Sequence, residues 1–206
     1  IQLGRKIGNI FKKTKEEECD SLLLSGGWSP VVHLLSHRGI KPIWNNENLC
    51  FLPDKSDEPI TVIGSASGLW NTADCESSGI NAGIKVFNEI GIKKSEYFFP
   101  KPGGWKNPIY PVFEIKTNKS RSKSFIDYQH DVTADDVRLA HREGFVSVEH
   151  LKRYTTLGMA NDQGKMGNII GLSIMADLLQ KDISEVGTTV FRPPYTPIAI
   201  GALAGR

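Results

Sequence analysis

The chain has 206 residues, of which 39% are hydrophobic and 23% charged, so it can bury a core and is neither a disordered tail nor a coiled coil. Its 25 basic and 23 acidic residues leave a net charge of +2, which provides no general attraction for nucleic acid. No apolar run approaches the ~20 residues that a membrane-spanning helix needs. Three cysteines without CxxC spacing argue against a disulfide framework or a cysteine-only metal site, and favour buried thiols in a reducing cytoplasm.

The first elements predicted along the chain are a strand and a short helix. Residues 20–25 (DSLLLS) form an apolar run that predicts a buried strand. Residues 31–39 (VVHLLSHRG) predict a helix that ends at Gly39. His33 and His37 are four residues apart on this helix and are possible metal ligands. The sequence offers no HExxH glutamate and no obvious third ligand, which favours a packing role for them.

The next segment predicts a hairpin, a turn and a longer helix. Residues 41–53 suit a hairpin, and residues 60–64 (ITVIG) suit a strand that enters a turn of small residues. Asn71 or Thr72 is expected to cap a helix that extends to about Ile90. Small side chains at a strand-to-helix turn let a ligand approach the backbone, as in nucleotide-binding α/β folds. A tight turn with nothing bound explains the same residues equally well.

The sequence contains no GxGxxG after a strand and no P-loop, so we expect the main phosphate-binding element to lie outside it. Three helices are predicted after an irregular, proline-rich connector. The first begins at Thr133, and Asp136 three residues later suits a capping box. The second extends from Ser147 to Gly158, and the third (NIIGLSIMADLLQKD) carries an apolar stripe. The proline-punctuated final segment predicts an extended linker.

Four strings resemble the α subunit of heterotetrameric sarcosine oxidases: CDSLLLSGGWSPVVHLLSHRG, GSASGLWNTADCESSGINAG, DYQHDVTADDVRLAHREGFVSVEHLKRYTTLGMANDQGK and EVGTTVFRPPYTPIAIGALAG. The resemblance, together with a start at Ile1 and an apolar end, implies an internal fragment of a longer chain. Its expected parts are an α/β portion, which is the C-terminal part of an FAD/NAD-binding disulfide-reductase-like domain, and then a small, mostly helical module. The expected boundaries are 1–95 for the dinucleotide-binding part, 96–123 for an irregular connector, 124–183 for the helical module and 184–206 for a linker toward a folate-binding aminomethyltransferase-like domain.

The resemblance also implies a function. This family demethylates sarcosine oxidatively to glycine, with O2 as acceptor, and gives H2O2 and either formaldehyde or methylenetetrahydrofolate. The implied cofactors are NAD in this subunit, FMN at the α/β subunit interface, and FAD and tetrahydrofolate elsewhere in the complex. The implied partners are a β subunit that carries the FAD and further small subunits, with no nucleic acid and no membrane. This fragment is then expected to hold no catalytic acid, base or nucleophile for the amine step.

Carried over by position, the family's NAD contact falls on the turn after the ITVIG strand. Gly64 is the expected close-approach residue, and Ser65, Trp70 and Thr72 are the expected NAD contacts. Disulfide-reductase-type flavoproteins usually place an Asp directly after that glycine, where this chain has Ser65. The replacement makes FAD a poorer candidate for the site, and leaves NAD or a decayed, empty site as the alternatives.

The helical module also resembles the small [2Fe-2S] ferredoxin-like domains of opine and proline dehydrogenase subunits. The four positions that carry thiolates there are Asp127, Gln129, Asp162 and Gly167 in this chain. Iron–sulfur clusters need soft thiolate ligands, which carboxylate, amide and glycine cannot replace. We therefore expect the fold to be retained without an iron–sulfur cluster.

A loop in this module suggests a phosphate or flavin contact. Its candidate residues cluster basic, hydroxyl and amide groups around two glycines, which suits an FMN edge at a subunit interface. They are Lys152, Arg153, Thr155, Thr156, Gln163, Gly164 and Lys165. The alternative is a basic surface loop used for subunit packing. For the whole protein, the alternatives are the α subunit of a related amine, opine or proline dehydrogenase, or a structural linker with a decayed nucleotide site.

Overall fold

The computed structural model describes residues 1–7, 10–92, 109–115, 123–193 and 196–205. Its elements, in chain order, are β1 (Gln2–Ile7), β2 (Ile10–Glu16), α1 (His33–His37), β3 (Ile43–Asn45), β4 (Cys50–Leu52), a 3-10 turn (Gly64–Ser67), α2 (Thr72–Glu89), β5 (Phe125–Asp127), β6 (Val132–Thr133), α3 (Ala134–Arg142), α4 (Val148–Thr155), α5 (Asn168–Leu179), α6 (Ile183–Val186) and α7 (Ile200–Leu203). The three sheets are antiparallel pairs, β1–β2, β3–β4 and β5–β6. This mixture of small sheets and helices agrees with the predicted mixed α and β character.

The chain forms two compact units, each built from two separate segments. One unit contains residues 1–28 and 111–189, and the other contains residues 29–110 and 190–206. This grouping does not follow the four consecutive segments expected from the sequence. That domain division, and the disulfide-reductase-like character of its first part, stay predictions. Most of the expected connector, residues 96–123, lies outside the described residues.

The first unit contains the β1–β2 hairpin and the helical module. The prediction of a buried strand at residues 20–25 is wrong: this stretch has no regular structure, and Leu23 and Leu24 are 93% and 81% exposed. A strand forms only where a neighbouring backbone completes its hydrogen bonds. Among the described residues, β1 and β2 pair only with each other, so the apolar run has no ladder to join.

The helical module begins with the β5–β6 hairpin, which leads directly into α3. The predicted capping box is confirmed: Thr133 Oγ1 accepts from the Asp136 amide at 3.3 Å, and the Asp136 carboxylate accepts from the Thr133 amide at 2.8 Å. Helix α3 packs against both α4 and α5. The side chains that meet there include Val137, Leu151 and Met175, each at most 1% exposed. Burial at these positions stabilises the module by removing apolar area from water.

Two helices of the module differ from their predicted ends or faces. Helix α4 ends at Thr155, earlier than the predicted Gly158, because Thr156 takes the left-handed conformation with a φ of 62°. Helix α5 is buried at every position from Gly171 to Ala176, rather than along one stripe. An all-round apolar helix of this kind is typical of an element that is covered on several sides.

The second unit contains α1, the β3–β4 hairpin, the 3-10 turn, α2 and α7. The short helix and the hairpin form where predicted. The strand expected at residues 60–64 does not form; these residues lead without a ladder partner into the 3-10 turn. The final segment, expected to be extended, contains the short helices α6 and α7.

Candidate functional site

The turn before α2 is held by side chains of the helix that follows it. The Gly64 amide donates to Ser78 Oγ at 3.0 Å, and Ser78 Oγ donates to the Cys75 carbonyl at 2.8 Å. Ser67 Oγ donates to the Gly64 carbonyl at 2.8 Å. Gly64 has a φ of 63° and Gly68 a φ of 87°, both in the region that favours glycine. The turn therefore has one fixed shape, set by α2.

The predicted NAD contacts lie on this turn with different exposures. Ser65 and Thr72 are exposed, whereas Gly64 and Trp70 are half-buried. Asn71 is the N-cap of α2, as predicted, and its side chain accepts from the Ala73 amide at 2.9 Å. The structure thus places all four candidate residues on one short segment and presents two hydroxyl groups to a ligand.

The chemistry of this turn suits ribose hydroxyls better than a pyrophosphate. Residues 64–75 contain no lysine or arginine, and Asp74 lies in the first turn of α2. An acidic side chain at that position opposes the favourable field of a helix N-terminus for anions. The Gly64 amide is already bonded to Ser78, so it is not a donor for a ligand. Serine and threonine hydroxyls, in contrast, both donate and accept and match a sugar.

The second candidate site is formed by residues 127–131 and 156–167, which we name the loop pair. The Asp127 carboxylate accepts from the amides of Gln129 at 2.8 Å and His130 at 3.1 Å. Gln129 Oε1 accepts from the Asn161 amide at 3.1 Å. His130 Nδ1 lies 3.3 Å from the Thr156 carbonyl oxygen. These contacts join the two loops of the pair directly.

Asp162 organises the second loop of the pair. Its two carboxylate oxygens accept from the Gly164 and Met166 amides, each at 3.3 Å. Gln163 has a φ of 55°, and its side-chain amide donates to the Ala160 carbonyl at 3.0 Å. Two of the positions at which the [2Fe-2S] pattern has thiolates, Asp127 and Asp162, thus carry carboxylates that cap their own loops.

The hydrogen bonds of the predicted FMN residues do not join them into one cluster. Arg153 lies on α4, where its guanidinium donates to the Glu149 carbonyl at 2.8 Å and pairs with the Glu149 carboxylate at 3.2 Å. Thr155 Oγ1 donates to the Leu151 carbonyl at 2.8 Å, and Thr156 Oγ1 donates to the carbonyl of Thr155 at 2.6 Å. Gly164 is buried, whereas Gln163 and Lys165 are half-buried.

The two sites depend on residues that the sequence patterns did not single out as site residues, Ser78 and Asn168. In the sequence, Ser78 is only one of several small residues on α2. Asn168 is 6% exposed and begins α5, a helix whose other buried positions are mainly apolar. A polar residue in such a surrounding is the signal that would have found it, because buried polar groups need partners.

The described residues bear on the metal and membrane expectations as well. Among them, no group of three or more His, Cys, Asp or Glu residues could hold a metal ion. His33 is 4% exposed and stacks on Phe191 with ring centroids 3.8 Å apart, which agrees with the packing interpretation. No described helix is both long and apolar enough to cross a bilayer.

Two perturbed groups lie outside both candidate sites. Burial raises the pKa of the Cys50 thiol to about 11, so Cys50 is a neutral core residue at physiological pH. A hydrogen bond to Glu114 raises the pKa of Arg138, whose guanidinium contacts both carboxylate oxygens of Glu114 at 2.6–2.7 Å. Both groups serve the fold.

Comparison with known proteins identifies relatives for nearly the whole chain. Residues 121–206 match the family model of the sarcosine oxidase A3 domain. The sarcosine oxidase alpha subunit of Rhizobium meliloti (strain 1021) is 38% identical over 196 residues, which are 94% of this chain and 20% of the relative. A subunit of the opine oxidase of Rhizobium meliloti is 23% identical over 203 residues, 89% of this chain and 39% of that protein.

A solved structure shares the fold. The crystal structure of L-proline dehydrogenase from P. horikoshii superposes with a TM-score of 0.63 at 21% identity, over 86% of this chain and 37% of that one. The chain spans about one fifth of the length of the sarcosine oxidase subunit that it matches. These comparisons confirm the predicted resemblance: the chain is related to sarcosine oxidase α subunits over almost its entire length.

Proposed function

We propose that this chain, a relative of sarcosine oxidase α subunits, is part of such a subunit in a heterotetrameric enzyme. The complete enzyme would demethylate sarcosine to glycine, with O2 as acceptor, and release H2O2 and formaldehyde or methylenetetrahydrofolate. The observation that carries this proposal is 38% identity over 94% of the chain. The amine chemistry would take place at an FAD in the β subunit, and this fragment would bind cofactors and connect domains.

The turn before α2 is the proposed NAD contact of this fragment. Its support is the fixed backbone at Gly64, the exposed hydroxyls of Ser65 and Thr72, and the half-buried indole of Trp70. The hydroxyls would bind a ribose, and the indole offers a flat apolar face to a base or nicotinamide ring. Phosphate recognition would come from residues outside residues 64–75, since no basic side chain is present there.

The exposed side of α4 and the loop pair is the proposed surface toward FMN and the β subunit. The Arg153 side chain is 55% exposed and carries a planar guanidinium, which suits a flavin phosphate. A phosphate would compete with Glu149, the present partner of Arg153. The proposal for Thr155, Thr156, Gln163 and Gly164 is weaker, because their described contacts stabilise the loops themselves.

A second candidate is the α subunit of a related amine, opine or proline dehydrogenase that passes electrons to another carrier. The proline dehydrogenase structure shares the fold, and the opine oxidase subunit is a more distant relative. Against this candidate, the four expected ligand positions carry Asp127, Gln129, Asp162 and Gly167, which are not iron–sulfur ligands. A structural linker with a decayed nucleotide site is a third candidate.

The deciding experiment uses the full-length native complex. H2O2 and formaldehyde are measured with sarcosine, with proline and with an opine as substrate, and the nucleotides released on denaturation are identified by mass spectrometry. Sarcosine-dependent H2O2 with release of NAD, FMN and FAD is expected. Turnover of proline or an opine without H2O2 would favour the dehydrogenase, and absence of any nucleotide from the α chain would favour the linker.

The FMN surface is tested in the same complex with Arg153→Ala and Arg142→Ala. Arg142 is a matched control, because it is an exposed arginine in the last turn of α3. Loss of a charge-assisted hydrogen bond to phosphate should weaken FMN retention by about tenfold in the Arg153 variant only. Equal FMN content in both variants would reject the assignment of Arg153.

A further inference from the structure

The loop pair is closed by its own side chains at the place where the [2Fe-2S] pattern has its ligands. Asp127 and Asp162 accept hydrogen bonds from four backbone amides of the pair, those of Gln129, His130, Gly164 and Met166. A carboxylate that caps a turn in this way replaces the constraint that a ligand-to-metal bond would impose on the chain. The donor set does not fit an iron–sulfur cluster, and its members are already engaged.

The second loop is built around the side chain of Asn168. A Cβ atom added at Gly158 would overlap Asn168 Oδ1, and one added at Gly164 would overlap Asn168 Nδ2. Both glycines also have positive φ, 78° and 73°. The amide of Asn168 therefore lies between two backbone segments of the loop, at a distance that only glycine permits.

The packing is reciprocal, because a side chain of the loop lies on glycines of the helix. A Cβ added at Gly171 of α5 would overlap the Leu157 side chain, which is 4% exposed. A Cβ added at Gly167 would lie 2.9 Å from the Ile126 carbonyl oxygen. The first loop and the start of α5 are thus in direct backbone contact at Gly167, and no side chain fits there without a shift.

Asn168 also fixes the segment that follows α6. Its Nδ2 donates to Thr189 Oγ1 at 3.4 Å, and the two residues are 6% and 5% exposed. One buried amide thus contacts both arms of the loop around residues 158–164 and the end of this unit at Thr189. Because a buried amide without partners is costly, each of these contacts supports the others.

We propose that Asn168 is the positioning residue that holds the loop pair in this chain, in place of a metal cluster, and that Gly167 has closed the fourth ligand position. The loop pair then keeps its shape without iron and independently of redox state. It also cannot become a cluster site again when the thiolates alone are restored, because the backbone now occupies the space of a ligand at Gly167. This inference concerns the fold of the module and stands apart from the proposed NAD and FMN contacts.

The first test measures amide hydrogen exchange in the full-length complex for Asn168→Ala and Asn161→Ala. Asn161 is a matched control, because its exposed side chain is on the same loop and only its backbone amide has a described bond to Gln129. Loss of the Asn168 amide should accelerate exchange by about tenfold or more at residues 156–167 and 186–189, and leave α3 unchanged. Unchanged exchange at both segments would overturn the role of Asn168.

A second pair of variants decides the case in which Asn168→Ala does not assemble. Thr189→Val removes one hydrogen-bond acceptor at nearly constant volume, and Asn168→Ser keeps a polar group but removes the contact with the glycines. Both should accelerate exchange at residues 186–189, and only Asn168→Ser should do so at residues 156–167. Identical exchange in these variants and the wild type would also overturn the proposal.

The closure at Gly167 is tested with Gly167→Ala and with the fourfold variant D127C/Q129C/D162C/G167C. Gly167→Ala should accelerate exchange in both loops, since its methyl group meets the Ile126 carbonyl, and wild-type exchange would refute the closure. The fourfold variant is incubated anaerobically with ferrous iron and sulfide. We expect no more iron than in the wild type and no [2Fe-2S] absorption; a stoichiometric cluster in the assembled complex would refute the closure directly.

Discussion

The helical module and the turn with helix α2 are similar in sequence signals but differ in packing. Both begin a helix with a predicted side-chain cap, Thr133 in one and Asn71 in the other. Helix α5 of the module buries seven of its 12 residues, whereas the 18-residue helix α2 has no fully buried residue. Local signals are therefore equally strong in both regions, but only the module encloses a core among the described residues.

The difference shows which interactions stabilise each region. In the module, α3 packs against α4 and α5, and burial of apolar area is the main stabilising term. Helix α2 contacts the 3-10 turn, and its caps and the Ser78 hydrogen bonds fix the local shape. Substitutions in the core should therefore separate the two regions strongly, while substitutions of caps should affect them alike.

The largest effect is expected from truncating a core residue of the module. Leu151→Ala removes a side chain that is 1% exposed and should lower the stability of the module by about 2–5 kcal/mol. Val86→Ala on α2, where Val86 is 52% exposed, should change stability by less than about 0.5 kcal/mol. Native-state hydrogen exchange of the full-length protein measures both; similar losses would mean that α2 is packed as tightly as the module.

An intermediate effect is expected at the ion pair that joins residue 114 to α3. Arg138→Ala leaves the Glu114 carboxylate, whose side chain is 13% exposed, without its guanidinium and should cost about 1–3 kcal/mol. Asp135→Ala removes the other, 77% exposed partner of Arg138 and should cost less than about 1 kcal/mol. Chemical denaturation of both variants checks this order, and a larger loss for Asp135→Ala would contradict it.

Smaller and equal effects are expected at the two caps. Thr133→Ala and Asn71→Ala each remove a side-chain acceptor from a helix N-terminus and should each cost about 1 kcal/mol locally. Ser147→Ala is the control, because Ser147 is the N-cap of α4 but makes no side-chain capping bond. Exchange rates in the first turns of α2, α3 and α4 report the three effects, and a loss at Ser147 equal to the others would show that these bonds do not matter.

The smallest effect at neutral pH is expected from Cys50 of the second unit. The unfolded thiol ionises near pH 9.0, whereas burial raises the pKa of folded Cys50 to about 11. Its contribution to stability is therefore complete below about pH 9 and is lost as the pH rises toward 11. At pH 8, iodoacetamide should label the exposed Cys19 and leave the buried Cys50 unmodified until unfolding, as mass spectrometry can show. Rapid labelling of Cys50 in the folded protein would contradict its burial.

Sequence patterns predicted local features well because their causes are local. The capping box at Thr133, the cap at Asn71 and the hairpin at residues 43–52 depend on neighbours within a few positions, and all three form. The thiolate-free ligand positions were also readable, since residue type alone decides whether iron can bind. The candidate NAD and FMN contacts remain predictions on these same residues.

Tertiary structure decided what depends on distant partners. The apolar run at residues 20–25 has the composition of a strand but no ladder to join, so its leucines are exposed. Asn168 follows no motif, yet the loop around residues 158–164 folds on its side chain. A hydrogen-bonded edge and a close backbone approach are relations between separate segments, and periodicity along one segment does not contain them.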